Sequence, residues 1–144
     1  MYKYNRTIRD GAEALIDGIE NIEMFLDDND HWNFHDSKIR SFYWDNETLE
    51  FTVTVDLVGY GFYKGEIDKN LQPLLDFHFK DCDEIKMDMV DMYAGFINEI
   101  EISRDRDYLE CWFNGICVGV SCRRLCVDKP RFVPDEDDEP EQKG

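Results

Sequence analysis

Hydrophobic residues near the N-terminus recur every three to four positions. An apolar stripe with this spacing runs through residues 7–28 and consists of Ile8, Ala12, Leu15, Ile19, Ile22 and Leu26. The stripe predicts one amphipathic helix. Gly11 and Gly18 lie beside the stripe, and a close approach of the helix to a sheet would explain both. The acidic run over 27–30 marks the expected end of the helix, since acids are unfavourable at a helix C-terminus.

From residue 38 onward the period changes to two, which predicts strands of a half-buried antiparallel sheet. The clearest strand alternates apolar and polar side chains from Leu49 to Leu57. Further strands are predicted over residues 39–45, 75–79, 84–89, 100–102, 108–113 and 116–126. The glycine-punctuated segment Val58–Pro73 is expected to be a long loop.

One N-terminal helix followed by about six or seven mostly antiparallel strands predicts an α+β domain with the helix packed on the sheet. The chain has 144 residues, a usual length for one domain, and the predicted domain covers residues 1–134. Residues 135–144 carry six acids and one base, so they are expected to form a disordered acidic tail.

The formal net charge of −17 is the most unusual property of the composition. Such a charge repels nucleic acid and anionic membranes, and it attracts basic surfaces in a salt-dependent way. No signal peptide or apolar span is apparent, and the five cysteines are an odd number. Free thiols in a reducing cytoplasm are therefore expected.

Four of the cysteines come close together near the C-terminus. Their spacings of five, four and three intervening residues match no paired zinc motif. Asn114-Gly115 predicts a two-residue type I′ hairpin, which would pair Phe113 with Ile116. In that register Cys111 and Cys117 face opposite sides, and Cys122 lies roughly 13 Å from the position opposite Cys111. No metal centre is predicted among these cysteines, which are expected to be buried or strand-face thiols: Cys111, Cys117, Cys122 and Cys126.

His31, His35 and Asp36 form the alternative candidate for chemistry, as metal ligands or as a base. The competing interpretation is that His35 and Asp36 hydrogen-bond the backbone where the first strand begins. The sequence contains no nucleophile elbow, no HExxH motif and no recognisable Ser/His/Asp signature. A non-enzymatic protein without cofactor or metal is therefore predicted.

Aromatic residues alternate with glycine over residues 58–65, a pattern that superficially resembles a phosphate-binding loop. No helix N-terminus follows directly, so an adaptable protein-binding loop is the better interpretation. Closure of one end of the core by these rings is the alternative. The predicted contact surface combines this loop with acids near the expected helix end: Tyr60, Phe62, Tyr63, Asp27, Asp28 and Asp30.

Three motifs follow one another along the chain: Phe34-His35-Asp36-Ser37, Leu75-Asp76-Phe77-His78-Phe79 and the isoleucine pattern over 97–102. Their order resembles that of small bacterial proteins of the immunity protein 50-like group, which are associated with immunity to polymorphic toxins. The resemblance covers about residues 32–127. It implies a cytosolic protein that neutralises a partner toxin, expected to be basic, by tight binding and without chemistry of its own. A subunit of some other intracellular assembly is the further alternative.

Overall fold

The computed structural model describes residues 7–25, 34, 37–57, 71–88, 96–97 and 99–134. This part of the chain is mostly sheet with little helix, so the predicted α+β class fits only roughly. A 3₁₀ turn covers Ala12–Leu15, and one short helix, α1, covers Glu20–Glu23. The strands are β1 (Ile16–Asp17), β2 (Ser37–Asp45), β3 (Glu50–Asp56), β4 (Leu71–Lys80), β5 (Glu84–Met87), β6 (Phe96–Ile97), β7 (Glu99–Asp105), β8 (Tyr108–Asn114), β9 (Val118–Cys122), β10 (Arg124–Val127) and β11 (Arg131–Pro134).

These strands form two sheets. The large sheet has the order β1-β10-β4-β3-β2-β6, and β11 also pairs with β4; the small sheet has the order β5-β9-β8-β7. Strand pairs are antiparallel, apart from the parallel pair of β1 and β10. Both sheets thus follow the period-two pattern that the sequence predicts for half-buried strands.

The core lies between the two sheets. Phe77 and Phe79 point from β4 toward the small sheet, where both meet Phe113 edge-on at centroid distances of 5.7 and 6.2 Å. Alternate residues of the neighbouring β3, including Val53 and Val55, are fully buried on the same side. Edge-to-face geometry is favourable for aromatic pairs, so these rings join the sheets in a specific arrangement.

The long N-terminal helix predicted over residues 7–28 is not found in residues 7–25. Asp10, Gly11 and Gly18 have φ angles of 58°, 81° and 82°. A right-handed helix cannot continue through such left-handed residues. The chain instead forms the 3₁₀ turn, β1 and α1 in succession, and Ile8 forms a parallel bridge to Ile102 of β7. Most of the apolar stripe is nevertheless buried or packed against the core, because these short elements lie along its side.

The predicted two-residue hairpin after β8 is wrong in register. Phe113 pairs with Val118 rather than with Ile116, which leaves a four-residue loop closed by a hydrogen bond from the Cys117 N–H to the Phe113 carbonyl, 3.0 Å. Ile116 is buried within this loop, and that burial accounts for the longer connection. Because of the shift, Cys122 lies two residues from the position opposite Cys111, roughly 7 Å instead of 13 Å.

Two predicted strands are divided between the sheets. The segment predicted over 116–126 leaves the small sheet after Cys122 and enters the large sheet at Arg124. The isoleucine pattern over 97–102 likewise begins in β6 of the large sheet and continues in β7 of the small one. Apolar alternation continues across both crossings because the two sheets share one core. Two boundaries also differ: β4 already begins at Leu71, and β5 ends at Met87.

Candidate functional site

Of the residues predicted to carry function, only Phe34 and Ser37 belong to the described part of the chain. Phe34 is fully buried and lies edge-on to Phe77, with the ring centroids 6.4 Å apart. Its carbonyl accepts a hydrogen bond from the Ser37 N–H at 3.0 Å, where β2 begins. The other predicted residues lie outside the described residues: His31, His35, Asp36, Asp27, Asp28, Asp30, Tyr60, Phe62 and Tyr63.

The outward side of the large sheet, here called the polar face, carries most of the polar contacts between strands. One row across five strands is set by the pairing register and consists of Asp17, Cys126, His78, Thr52 and Tyr43. Antiparallel sheets commonly have one solvated side, so polar residues here are expected. The chemistry of this face depends on how these side chains are connected.

His78 lies between two carboxylates near the centre of the polar face. Its Nδ1 is 3.0 Å from Glu50 Oε2, and its Nε2 is 2.8 Å from Asp128 Oδ2. Thr52 Oγ1 is also 3.0 Å from Nδ1. These contacts tie β3, β4 and the residue after β10 together.

Asp76 forms a second connection on the same face. Arg131 donates from Nε and Nη2 to its two carboxylate oxygens at 2.9 and 3.0 Å, and Thr54 donates its hydroxyl at 2.6 Å. Burial by itself raises the pKa of Asp76, but the hydrogen bonds from Arg131 and Thr54 outweigh burial, so this pKa lies below its ordinary value. The pair joins β11 to β3 and β4.

Replacing Arg131 by Gln is expected to lower the free energy of unfolding by about 1 kcal/mol at pH 7, the upper range for a partly exposed ion pair. The Arg131–Asp76 pair stabilises the fold fully above the unfolded-state pKa of Asp76, about 4. This stabilisation is lost as the pH falls through the lower folded-state pKa. The cost of R131Q should therefore be smaller at about pH 3 than at pH 7.

Urea titrations of wild type and R131Q at both pH values measure this effect. R124Q is the comparison variant: Arg124 makes the same two-pronged contact with Asp17, at 2.8 and 2.9 Å, but both partners are about half exposed, so its cost at pH 7 should be smaller than that of R131Q. A cost of R131Q that is the same at both pH values would contradict the assignment to the ionised Asp76.

The hairpin between β2 and β3 exposes three large apolar side chains. Tyr43, Trp44 and Leu49 have exposed fractions of 65%, 40% and 45%. Asp45 and Glu47 lie among them, and Asp45 Oδ1 accepts the N–H of Glu47 at 3.0 Å, which fixes the turn. Tyr43 and Trp44 point to opposite sides of β2, so these five residues, called the hairpin patch below, surround the tip of the hairpin rather than forming one flat face. Exposed aromatic residues are enriched in surfaces that bind proteins, and the carboxylates around them would favour a basic partner.

More acids lie next to the hairpin patch at the same end of the sheets. The Cys82 N–H donates to the Leu49 carbonyl at 2.9 Å, so the turn between β4 and β5 contacts the hairpin. Asp81 and Asp83, on either side of Cys82, are exposed. The apolar residues of the hairpin patch thus have carboxylates on two adjoining turns.

The thiols provide no evidence of nucleophilic chemistry. All five cysteines are free. Burial raises the pKa of Cys82 to about 11, that of Cys122 to about 12, and that of Cys111 well above its ordinary value. Burial and the hydrogen bond to Asp17 also raise the pKa of Cys126. These four thiols are protonated at neutral pH, and a protonated thiol is a poor nucleophile and metal ligand.

A depression of about 30 Å³ lies on the outer side of the small sheet, beside Lys86 and Trp112. That volume holds about one water molecule, far less than a small-molecule site requires. No group of three or more His, Cys, Asp or Glu side chains among the described residues is arranged to hold a metal ion.

Comparison with known proteins does not assign a family. No family model and no curated protein matches the chain. The chain is similar to the crystal structure of an uncharacterised protein from Neisseria gonorrhoeae, with a TM-score of 0.47 and 14% sequence identity, covering 65% of this chain and 91% of that one. This likeness is too distant to support a function. None of the helices in the described part has the length and apolarity needed to cross a membrane.

Sequence reasoning identified β2 as a strand but missed its exposed aromatic residues. The signal was the unbroken run Phe42-Tyr43-Trp44. Successive side chains of a strand point to opposite sides, so three aromatics in a row cannot all face the core. Phe42 packs inward, stacked on Phe51 at 5.6 Å. Trp44 is on the same side of the strand yet 40% exposed, so alternation accounts for the exposure of Tyr43 alone.

Proposed function

We propose that this chain is a non-catalytic, acidic binding protein that docks on a basic protein partner. The observation that carries the proposal is the hairpin patch, where three exposed apolar side chains are interspersed with carboxylates. The resemblance to toxin-immunity proteins favours a toxin domain as the partner and neutralisation by binding as the outcome. The proposed location is the cytoplasm.

Charge and apolar contact have different roles in this proposal. The net charge of −17 attracts a basic partner from a distance and raises the rate of encounter. Tyr and Trp then provide contact area at a low entropic cost, as they do in many interfaces. The hairpin patch combines both features on described residues.

The chemistry of the described residues supports binding rather than turnover. His78 has a carboxylate at each ring nitrogen, which suits a structural connection better than a base awaiting a substrate. The buried thiols are protonated, and the available depression has room for about one water. These observations support the part of the proposal that makes the protein a binding protein without catalytic activity.

Replacing both Tyr43 and Trp44 by alanine is expected to weaken partner binding about 10- to 100-fold, as for aromatic residues central to an interface. The test purifies the proteins encoded on either side of this gene and measures, by titration calorimetry, the dissociation constant of any basic one among them. The wild-type affinity should also fall as the salt concentration rises.

Phe132→Ala is the matched control, because Phe132 is a similarly exposed aromatic on β11, with 44% of its surface accessible. It should leave the affinity within about twofold of wild type. Absence of a complex, or an affinity that does not depend on salt, would reject the proposed function. An equal loss in the Phe132 variant would reject the hairpin patch as the contact surface.

A further inference from the structure

The outer side of the small sheet carries a tryptophan that packs on a glycine. Trp112 of β8 pairs with Gly119 of β9, and an added Cβ at Gly119 would collide with ring carbons of Trp112. The indole therefore lies over the glycine, an arrangement by which aromatic side chains stabilise strands that contain glycine. The ring remains partly exposed. Packing on Gly119 thus holds an accessible aromatic ring in one place, which lowers the entropic cost of binding to it.

The depression beside this ring is bordered by two carboxylates. Glu84, Ser121 and Glu110 face outward in one row across β5, β9 and β8, because Ser121 pairs with both glutamates. Neighbouring strands are about 4.8 Å apart, so both glutamate side chains can reach a point above Ser121. Glu84 and Glu110 are exposed, and both line the depression together with Trp112. A cation at that point would meet two carboxylates, a hydroxyl group and an aromatic ring.

These two carboxylates have little competition from cations of the fold. Lys86 Nζ is 4.0 Å from Glu84 Oε2, and both side chains are more than half exposed, at 62% and 58%. An exposed pair at this distance contributes little, so Glu84 is available to a better-placed cation. Glu110 forms no ion pair with another residue of the described part of the chain. Glu101 on β7, by contrast, is paired with Arg9 at 3.3 Å.

The size of the depression selects the kind of cation. Its volume of about 30 Å³ has room for about one water molecule. The ammonium group of lysine is compact and has three N–H donors, whereas the guanidinium group of arginine is a broader plane with five. Three acceptors border the depression, on Glu84, Glu110 and Ser121, and tryptophan is the best aromatic partner for a cation. The arrangement therefore suits an ammonium group.

We infer that this depression binds a lysine side chain of the basic partner protein. The depression is called the ammonium site below and consists of Glu84, Glu110, Ser121 and Trp112. The inference rests on the proposed function, because the basic partner is the source of the lysine. A second copy of this chain is a poor occupant, since two copies would each bring a net charge of −17 to the contact.

The ammonium site adjoins the hairpin patch through the turn between β4 and β5. The Asp83 N–H donates to the Ser121 carbonyl at 2.8 Å, and the Cys82 N–H donates to the Leu49 carbonyl at 2.9 Å. Leu49 belongs to the hairpin patch, and Ser121 belongs to the ammonium site. A partner that covers the hairpin patch can therefore reach the ammonium site across a single turn, and the acids of that turn favour the same basic partner.

The probe is a short capped peptide, Gly-Ser-Lys-Ser-Gly, titrated into the full chain at low salt. Its matched control has norleucine in place of lysine, which keeps the aliphatic side chain and removes the ammonium group. Nuclear magnetic resonance spectra report binding through the indole N–H signal of Trp112 and the amide signals of Gly119 and Ser121. The norleucine peptide should bind about fivefold or more weakly, because it has no charge to offer the carboxylates and the ring.

Charge variants test the two carboxylates separately. Glu84→Gln and Glu110→Gln should each weaken binding of the lysine peptide about two- to fivefold, the usual effect of one exposed ion pair. Glu20→Gln is the matched control, because Glu20 is also exposed but lies on α1, outside the small sheet. It removes the same charge and should leave the affinity within about 1.5-fold of wild type.

Each outcome decides the matter. A preference for the lysine peptide that is reduced in E84Q and E110Q but kept in E20Q supports the ammonium site. Equal binding of both peptides, an equal loss in E20Q, or no shift of the Trp112 indole signal overturns the inference. Shifts of the same signals with rising protein concentration, without peptide, would identify a second copy as the occupant and also overturn it. The calorimetric test of the neighbouring-gene proteins decides the proposed function separately, because its variants change only Tyr43 and Trp44.

Discussion

Replacing Phe77 by alanine is expected to lower the free energy of unfolding by about 3–5 kcal/mol, the usual cost of removing a buried phenylalanine. Phe77 is fully buried and contacts three aromatic rings, Phe79 on its own strand and, from other parts of the fold, Phe34 before β2 and Phe113 on β8. The ring therefore stabilises the packing of the two sheets as well as its own strand. A loss of this size is a large fraction of the total stability of a small domain.

Urea unfolding followed by circular dichroism measures the change for Phe77→Ala. Phe132→Ala is the control, because that ring is 44% exposed and its removal should cost only about 1–1.5 kcal/mol. A loss below about 1 kcal/mol for Phe77→Ala would contradict the described packing between the sheets. If the variant does not fold, Phe77→Leu provides the smaller test, with a cost expected at about 1–2 kcal/mol.

Alternation in the sequence predicted which side of each long strand is buried. In β3, Phe51, Val53 and Val55 face the core as the pattern indicates. The pattern could not show that two sheets are present, because both of them contribute to the same core. The chain passes from the small sheet to the large sheet at Arg123, and the alternation of apolar residues continues across this point. The Asn114-Gly115 pair also predicted the wrong turn. Burial of Ile116 favours a four-residue loop over the two-residue turn that this pair indicates.

Local sequence is a poor guide to how exposed an outward-facing side chain is. Thr54 and Asp56 lie on the outward side of β3 yet are only 8% and 7% exposed, whereas Tyr43 on the same side is 65% exposed. Arg131 helps to explain the difference, since it reaches Asp76 beside Thr54 from another strand far along the chain. Whether another strand covers an outward-facing side chain depends on the tertiary fold. The alternation of apolar and polar residues within one strand cannot predict it. The run Phe42-Tyr43-Trp44 therefore indicates an outward-facing aromatic residue, but the degree to which the hairpin patch is exposed was not predictable.

In the N-terminal segment, local sequence likewise failed to predict the structure, here by indicating a helix. Its apolar spacing fits a helix, but Gly11 and Gly18 adopt left-handed backbone angles that interrupt one. A glycine within a helical pattern is compatible with either outcome, since glycine is tolerated in a helix at a cost of about 1 kcal/mol. At Gly18, contact with the end of β10 accompanies the left-handed conformation.

Replacing Gly18 by alanine is expected to lower the free energy of unfolding by about 2–5 kcal/mol, from backbone strain and overpacking together. The φ angle of 82° is unfavourable for any residue with a Cβ atom. An added Cβ would also collide with the carbonyl oxygen of Val127, which accepts a hydrogen bond from Asn21 Nδ2 at 2.9 Å. The substitution should therefore displace the N-terminal segment from β10.

Gly11→Ala separates the two causes. Gly11 has nearly the same φ angle, 81°, but no atom lies within 4 Å of the position of an added Cβ. Its replacement should cost only the backbone strain, about 1–2 kcal/mol. Urea unfolding of both variants gives the free energy that each substitution costs. The difference between the two costs reports the contact between Gly18 and Val127 alone. Equal losses would show that the N-terminal segment does not approach β10 as closely as described, because only that approach distinguishes the two glycines.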